Sequence, residues 1–187
     1  MDDVTEVFSD EGLITATLAG DDEAFACLVK RYKRRVFGLA ARFARDSDEL
    51  EDICQEVFIK AYENLGKFRA EAPFEHWISK ISVRACHDAL RSRRHDKHNL
   101  AWDDISYEIK DHAEAARSEA SLARELLDLA MGLLKPDERL VITLMELEEM
   151  TLRETAALTG WSEANIKVRA FRARQALKKI LEKYHGQ

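Results

Sequence analysis

The chain has 187 residues, with 29 Lys and Arg against 35 Asp and Glu for a net charge of −6, and 46% of its residues are hydrophobic. Its 7 Gly and 2 Pro are too few for a collagen-like or low-complexity chain, and its apolar content is too high for a disordered one. Net acidity argues against a uniformly basic nucleic-acid coat but leaves local basic patches open.

The charge lies in alternating blocks. Residues 1–23 hold eight acids and no cation, and Lys30 to Arg45 hold seven cations and no acid. Seven acids against one lysine follow in 46–63, then six cations against two acids in 80–98. Eight acids against three cations occupy 103–128, and seven cations against one acid close the series in 167–183. Such alternation predicts a protein that meets both a polyanion and a basic partner. Cys27, Cys54 and Cys86 are widely spaced with no CxxC, and are expected to be small buried hydrophobes rather than a disulfide framework. The acidic start, Met1-Asp2-Asp3, lacks the basic region of a signal peptide, and no apolar run approaches the ~18–20 residues of a membrane span. A cytoplasmic chain without membrane insertion is expected.

Helical spacing dominates, and strand signals are weak. A first helix is predicted over 10–19, closed by Gly20. Asp21 and Asp22 offer an N-cap to a helix near 22–44, with apolar positions Phe25, Leu28, Val29, Tyr32, Val36, Leu39 and Phe43. The next helix is predicted over 48–65, capped by Ser47 and stopped by Gly66. Leu50, Ile53, Cys54, Val57, Phe58, Ala61, Tyr62 and Leu65 form its apolar stripe. Its exposed side carries Asp48, Glu49, Glu51, Asp52, Gln55 and Glu56, opposed only by Lys60. Acids in a first turn suit the helix dipole, which accounts for Asp48 to Asp52 but poorly for Glu56, so a basic protein partner is the better reading.

Pro73 starts a helix near 73–94 that buries Phe74, Ile78, Ile81, Ala85 and Ala89. Its other face holds Trp77, Lys80, Arg84, His87 and Arg91, with Arg93 and Arg94 following. Cations follow phosphates and an aromatic ring stacks on an unpaired base, so this stripe suits single-stranded or melted DNA. The alternative is a core Trp77 beside solvated cations. Periodicity is lost over 95–117, a polar stretch read as a linker.

Helical spacing resumes with Leu122, Leu126, Leu129, Ala130 and Leu133, breaks at Lys135-Pro136, and continues with Leu140, Val141, Leu144 and Leu147. Thr151-Leu152-Arg153-Glu154 is a capping box, Gly160 a helix stop and Ser162 the next cap, which is a helix-turn-helix layout. On the second helix Ile166, Ala170, Ala173, Leu177, Leu181 and Tyr184 share the core side. Lys167, Val168, Phe171, Arg172, Gln175 and Lys178 face away. Val168 and Phe171 among cations suit a major groove, where apolar groups touch thymine methyls and Arg or Lys reach phosphates and guanine edges. A basic amphipathic helix packed on a partner is the alternative. The expected architecture is all-α: two small helical domains, 1–95 and 118–187, joined by a flexible linker over 96–117.

Together these segments resemble an extracytoplasmic-function (ECF) sigma factor of the sigma-seventy family. Asp48 to Tyr62 resembles the family's core-binding helix, of the form D-A-E-D-hydrophobic-x-Q-E-x-F. Phe74 to Ile81, with Asp88 and Arg91 to Arg94, resembles the segment that melts and reads the −10 element. Leu133 to Leu181 resembles the helix-turn-helix domain that reads the −35 element. The resemblance implies a bacterial initiation factor that binds core RNA polymerase, recognises both elements and opens the −10 region. Asp48, Glu51, Asp52, Gln55 and Glu56 would dock on the clamp coiled coil of the largest subunit, with the flap a second polymerase contact. Trp77, Lys80, Arg84, His87, Asp88, Arg91, Arg93 and Arg94 would hold the melted non-template strand, with a flipped base near Lys80, Arg84, His87 and Asp88. Lys167, Val168, Arg169, Phe171 and Arg172 would meet the −35 duplex. Arg84 stands where the family often has Asn, and Val168 where Ser is common. An anti-sigma factor is a further expected partner.

No catalytic residue, cofactor or metal is implied. The sequence has no HExxH, Walker loop or GxSxG, and Cys86, His95 and His98 match no common zinc spacing. A helix-turn-helix regulator that never binds core polymerase is the main rival, but it leaves the acidic helix and the Trp77 stripe idle. A helical adaptor that binds acidic proteins is another.

Overall fold

The computed structural model describes residues 8–99 and 119–185. Among these residues there are eight α-helices and no strand: α1 (Asp10–Leu18), α2 (Asp22–Ala40), α3 (Ser47–Asn64), α4 (Phe74–Asn99), α5 (Glu119–Leu133), α6 (Pro136–Ile142), α7 (Leu152–Thr159) and α8 (Glu163–His185). The architecture is all-α, as the periodicity predicts. The chain divides into two compact units between Ala89 and Leu90. Helix α4 continues to Asn99, five residues beyond its predicted end, so the segment read as a linker begins within a helix. The remainder of that segment, 100–117, lies outside the described residues.

In the first unit, Ser9 caps α1 by accepting the Gly12 N–H at 3.2 Å, and Gly20 with φ +99° follows its end. Asp21 caps α2 by accepting the N–H groups of Glu23 and Ala24. That helix ends at Ala40, earlier than predicted. The Arg42 and Phe43 N–H groups bond three residues back, to Leu39 and Ala40, and Phe43 is still fully buried. The cap of α3 is Asp46, one residue before the predicted Ser47: Asp46 Oδ1 accepts the Glu49 N–H at 2.8 Å. Glu49 in turn accepts the Arg45 N–H at 2.7 Å, and this reciprocal pair places Ser47 inside the first turn. Leu65–Lys67, which includes Gly66, closes α3 with a tight 3-10 turn. Pro73 lies just before α4, and its carbonyl accepts from Trp77 N–H at 3.4 Å.

Leu28, Val36, Phe43, Ile53, Val57, Leu65, Phe74 and Ile78 form the heart of this core. On α4, Val83 and Cys86 are buried where the periodicity placed the half-buried Ile81 and Ala89. Ser79 and Ser82 are buried too, and their hydroxyls donate to the carbonyls of Glu75 and Ile78, one turn back. Asp10 fastens α1 to α2 by accepting from Arg31 and from the Tyr32 hydroxyl, each at 2.5 Å. Arg35 fastens α2 to α4 through Ser79 at 3.0 Å and an ion pair with Glu75.

The second unit is built on α8. Met131, Leu134, Ile142 and Ala173 form one buried cluster. Val141, Ile166 and Ala170 form another, covered by Met145, Leu152, Ala156 and Trp161. Helix α6 does not run on regularly through Leu147. It widens into a π turn over Thr143–Leu147, where Glu148 N–H reaches back to Thr143. The wider turn rotates Leu147 off the predicted core face and leaves it exposed. The Thr151 capping box is present: Thr151 Oγ1 accepts the Glu154 N–H at 3.2 Å, and the Glu154 carboxylate accepts the Thr151 N–H at 2.8 Å. Gly160 takes the left-handed conformation, φ +76°, and Ser162 Oγ accepts the Asn165 N–H to start α8.

Candidate functional site

Helix α3 presents the acidic strip. Asp48, Glu51, Asp52, Gln55 and Glu56 are all exposed. Glu49 is not part of the strip, because its carboxylate is turned onto Arg45. Two apolar side chains continue the strip: Ile59 is 45% exposed and Tyr62 48%. The apolar stripe predicts a core-facing Tyr62. Instead its ring lies edge-on to Phe25 with centroids 4.9 Å apart, and its hydroxyl donates to Asp22 at 2.9 Å. The spacing Asp52, Gln55, Ile59, Tyr62 is the signal that joins these residues on one face. Behind the strip, burial pushes the Cys54 thiol up to about 11.

Lys60 sits at the edge of the strip. Its Nζ lies 2.9 Å from Glu56 on the same helix and 3.7 Å from Asp88 on α4. The hydrogen bond to Glu56, opposed by partial burial, holds this ammonium above its ordinary range.

Helix α4 presents Lys80, Arg84, Asp88 and Arg91 along one exposed face, with His87 half-buried beside them. Trp77 is not an open platform. It is half-buried in an aromatic cluster, with ring centroids 5.5 Å from Phe68 and 5.3 Å from Phe74. Tyr32 extends this cluster, 5.2 Å from Phe74. Burial, assisted by the bond to Asp10, raises the Tyr32 phenol far above its usual range. Arg93 is largely buried, and the Arg94 side chain lies outside the described residues, as do those of His95 and His98.

Helix α8 presents Lys167, Val168, Phe171 and Arg172 to solvent, with Val168 48% and Phe171 62% exposed. Such exposure of apolar groups between cations is unusual for a solvated face. Arg169 does not join them. Its guanidinium pairs with Asp137 on α6, donates from Nε to Asn165 at 2.5 Å, and lies 4.0 Å from the centre of the Trp161 ring. Partial burial and the nearby Arg172 charge lower its pKa. Arg174 likewise turns away, to Glu146 at 2.6 Å. The helix is thus divided into positions that support and positions that project.

Among the described residues no group of three or more His, Cys, Asp or Glu is arranged to hold a metal ion, and no helix is long and apolar enough to cross a membrane.

One helical unit carries an acidic strip and a basic stripe and a second, helix-turn-helix unit carries a projecting cationic and apolar face, features that suit the class of DNA-binding transcription factors. Comparison with known proteins makes this specific. The sigma-70 region 2 family matches residues 28–95, and the sigma-70 region 4 family matches residues 124–177. The chain is 31% identical to the RNA polymerase sigma-H factor of Pseudomonas aeruginosa over 181 residues, covering 92% of this chain and 94% of the relative. It is 30% identical to the ECF RNA polymerase sigma-E factor of Haemophilus influenzae over 188 residues, covering 96% and 98%. Its fold matches that of CnrH, solved in complex with the cytosolic domain of CnrY, with a TM-score of 0.59 and 25% identity over 93% of this chain and 97% of CnrH. The chain belongs to the sigma-70 family, and within it to the ECF sigma factors. It is a transcription initiation factor, not an enzyme.

Proposed function

We propose that two segments of the chain divide promoter recognition between them, with residues 1–95 serving core polymerase and the −10 element, 96–117 serving as the linker, and 118–187 serving the −35 element. The exposed strip Asp48, Glu51, Asp52, Gln55 and Glu56 meets a basic surface of core polymerase, the clamp coiled coil of its largest subunit. The apolar Ile59 and Tyr62 lie beside those acids on α3. Acids give orientation and encounter rate, and a desolvated apolar neighbour gives residence time.

The α4 face then holds the opened non-template strand. Lys80, Arg84 and Arg91 follow its phosphates, and His87 and Asp88 line the place where a base leaves the stack. Unstacking costs a few kcal/mol, which the phosphate contacts offset. Trp77, half-buried and engaged with Phe68 and Phe74, serves this face as a wall rather than as a free stacking plate. In the second unit Lys167, Val168, Phe171 and Arg172 enter the major groove of the −35 duplex, and Arg169 holds the helix that carries them. Tethered recognition of two elements raises affinity through effective concentration.

The observation that carries this reading is the pairing, on the consecutive helices α3 and α4, of an acidic strip and a basic stripe, both exposed. A regulator that ignores polymerase has no use for the first. Core polymerase and chromosomal DNA place the site of action in the cytoplasm. CnrH was solved with the cytosolic domain of CnrY bound, and we infer that an anti-sigma factor similarly holds this chain when it is idle. The test is reconstitution: the purified chain with bacterial core polymerase on a promoter library, with the transcripts sequenced. Initiation from a defined pair of −35 and −10 sequences is expected. DNA binding without specific initiation would return the chain to the regulator reading.

A further inference from the structure

Lys60 is the only cation among residues 46–63, and it serves two carboxylates at once. Its hydrogen bond to Glu56 at 2.9 Å is close, while Asp88 at 3.7 Å is an ion pair beyond hydrogen-bond distance. Glu56 is half exposed and Asp88 more so, so each is open to a second partner. In the assignment proposed above, which this inference rests on, Glu56 faces polymerase and Asp88 faces the strand. One ammonium therefore sits between the two binding surfaces.

We propose that Lys60 is a positioning residue that couples core binding to capture of the −10 strand. A cation from polymerase that pairs with Glu56 repels the Lys60 ammonium and removes its nearer partner. The flexible side chain passes to Asp88. A neutralised Asp88 no longer repels the phosphates that Arg84 and Arg91 hold on the same face. Polymerase binding thus raises strand affinity without contacting the strand, and by reciprocity the strand tightens polymerase binding by the same factor. The expected share of this path is about two- to five-fold, the range set by one exposed ion pair.

The experiment uses the full chain, core polymerase and a single-stranded −10 non-template oligonucleotide. The quotient of the core dissociation constants without and with oligonucleotide measures the coupling. K60Q should lower the quotient about two- to five-fold with an unchanged melting temperature, and K60R should restore it. D88N should lower it to the same level, and K60Q combined with D88N should lower it no further. An unchanged quotient in K60Q overturns the proposal. So does an equal further loss from K60Q when D88N is present, because Lys60 then touches the strand itself. E56Q separates the premises: if it leaves core affinity unchanged, the interface assignment falls and the relay with it. If it weakens core binding while K60Q leaves the quotient intact, only the relay falls.

Discussion

At the scale of single residues, helix α8 carries three arginines in different surroundings. Arg172 projects with Lys167, Val168 and Phe171, Arg169 is committed to Asp137, Asn165 and Trp161, and Arg174 pairs with Glu146. Arg172→Ala is expected to relax preference at one base pair of the −35 element, by ~1–3 kcal/mol for a bidentate contact. Arg169→Ala is expected to weaken every −35 sequence alike and to lower the melting temperature. Binding measured across a panel of single-base −35 variants distinguishes the two, and a uniform loss for Arg172→Ala would show a phosphate contact instead. Phe171→Ala removes a side chain that the fold leaves open, so −35 affinity should fall while stability stays within ~0.5 kcal/mol. Cys54 gives a prediction on pH. Burial raises its pKa to about 11, so its neutral-thiol contribution to stability is full below about pH 9 and is lost as pH rises towards 11. Iodoacetamide at pH 8.5 should label the half-buried Cys27 well before Cys54, and equal labelling rates in the folded chain would contradict the buried placement.

At the scale of elements, the parts legible in the sequence are those governed by local backbone chemistry. The Thr151 capping box, the left-handed Gly160 and the Ser162 cap each bond within four residues, so their pattern fixes α7 and the start of α8 without tertiary information. The misplaced elements depend on something further away or on a choice between equals. Asp46 and Ser47 are adjacent good caps, and the choice falls to Asp46 because Glu49 reaches back to the Arg45 N–H. The π turn after α6 has no marker in the residues Thr143 to Leu147, and its extra residue per turn moves Leu147 off the face that regular helical spacing assigns it. Tyr62 lies at the margin of a stripe, where helical period alone does not separate half-buried from exposed. Of the candidate site, the projecting residues of α3 and α8 are legible because charge stands opposite an apolar stripe. The commitment of Arg169 is not, because Asp137 lies 32 residues away in the chain. Caps also give a measurable expectation. Asp46→Ala should destabilise the first unit by ~0.5–2 kcal/mol, and Ser47→Ala by much less. Chemical denaturation of both variants tests the reassigned cap.

At the scale of the whole molecule, the net charge of −6 is a sum of blocks of opposite sign, to which the proposed function gives opposite tasks. The free chain should bind random duplex weakly, and replacing any one phosphate-binding cation of α8 by a neutral residue should reduce the salt slope of −35 binding by about one. Gln55→Ala combined with Glu56→Ala should weaken association with core polymerase and leave −35 duplex binding by the free chain unchanged, as separate titrations of polymerase and DNA would show. The division within α8 has a consequence for how such a protein diversifies. Ile166, Arg169 and Ala170 hold the helix in place, whereas Lys167, Val168, Phe171 and Arg172 project into solvent, away from the buried clusters. On the proposed assignment, address and chassis are separable in this helix. Randomising the four projecting positions should yield mostly folded variants with redirected −35 preference, and the same scaffold can be retargeted to a new set of genes without re-engineering its stability.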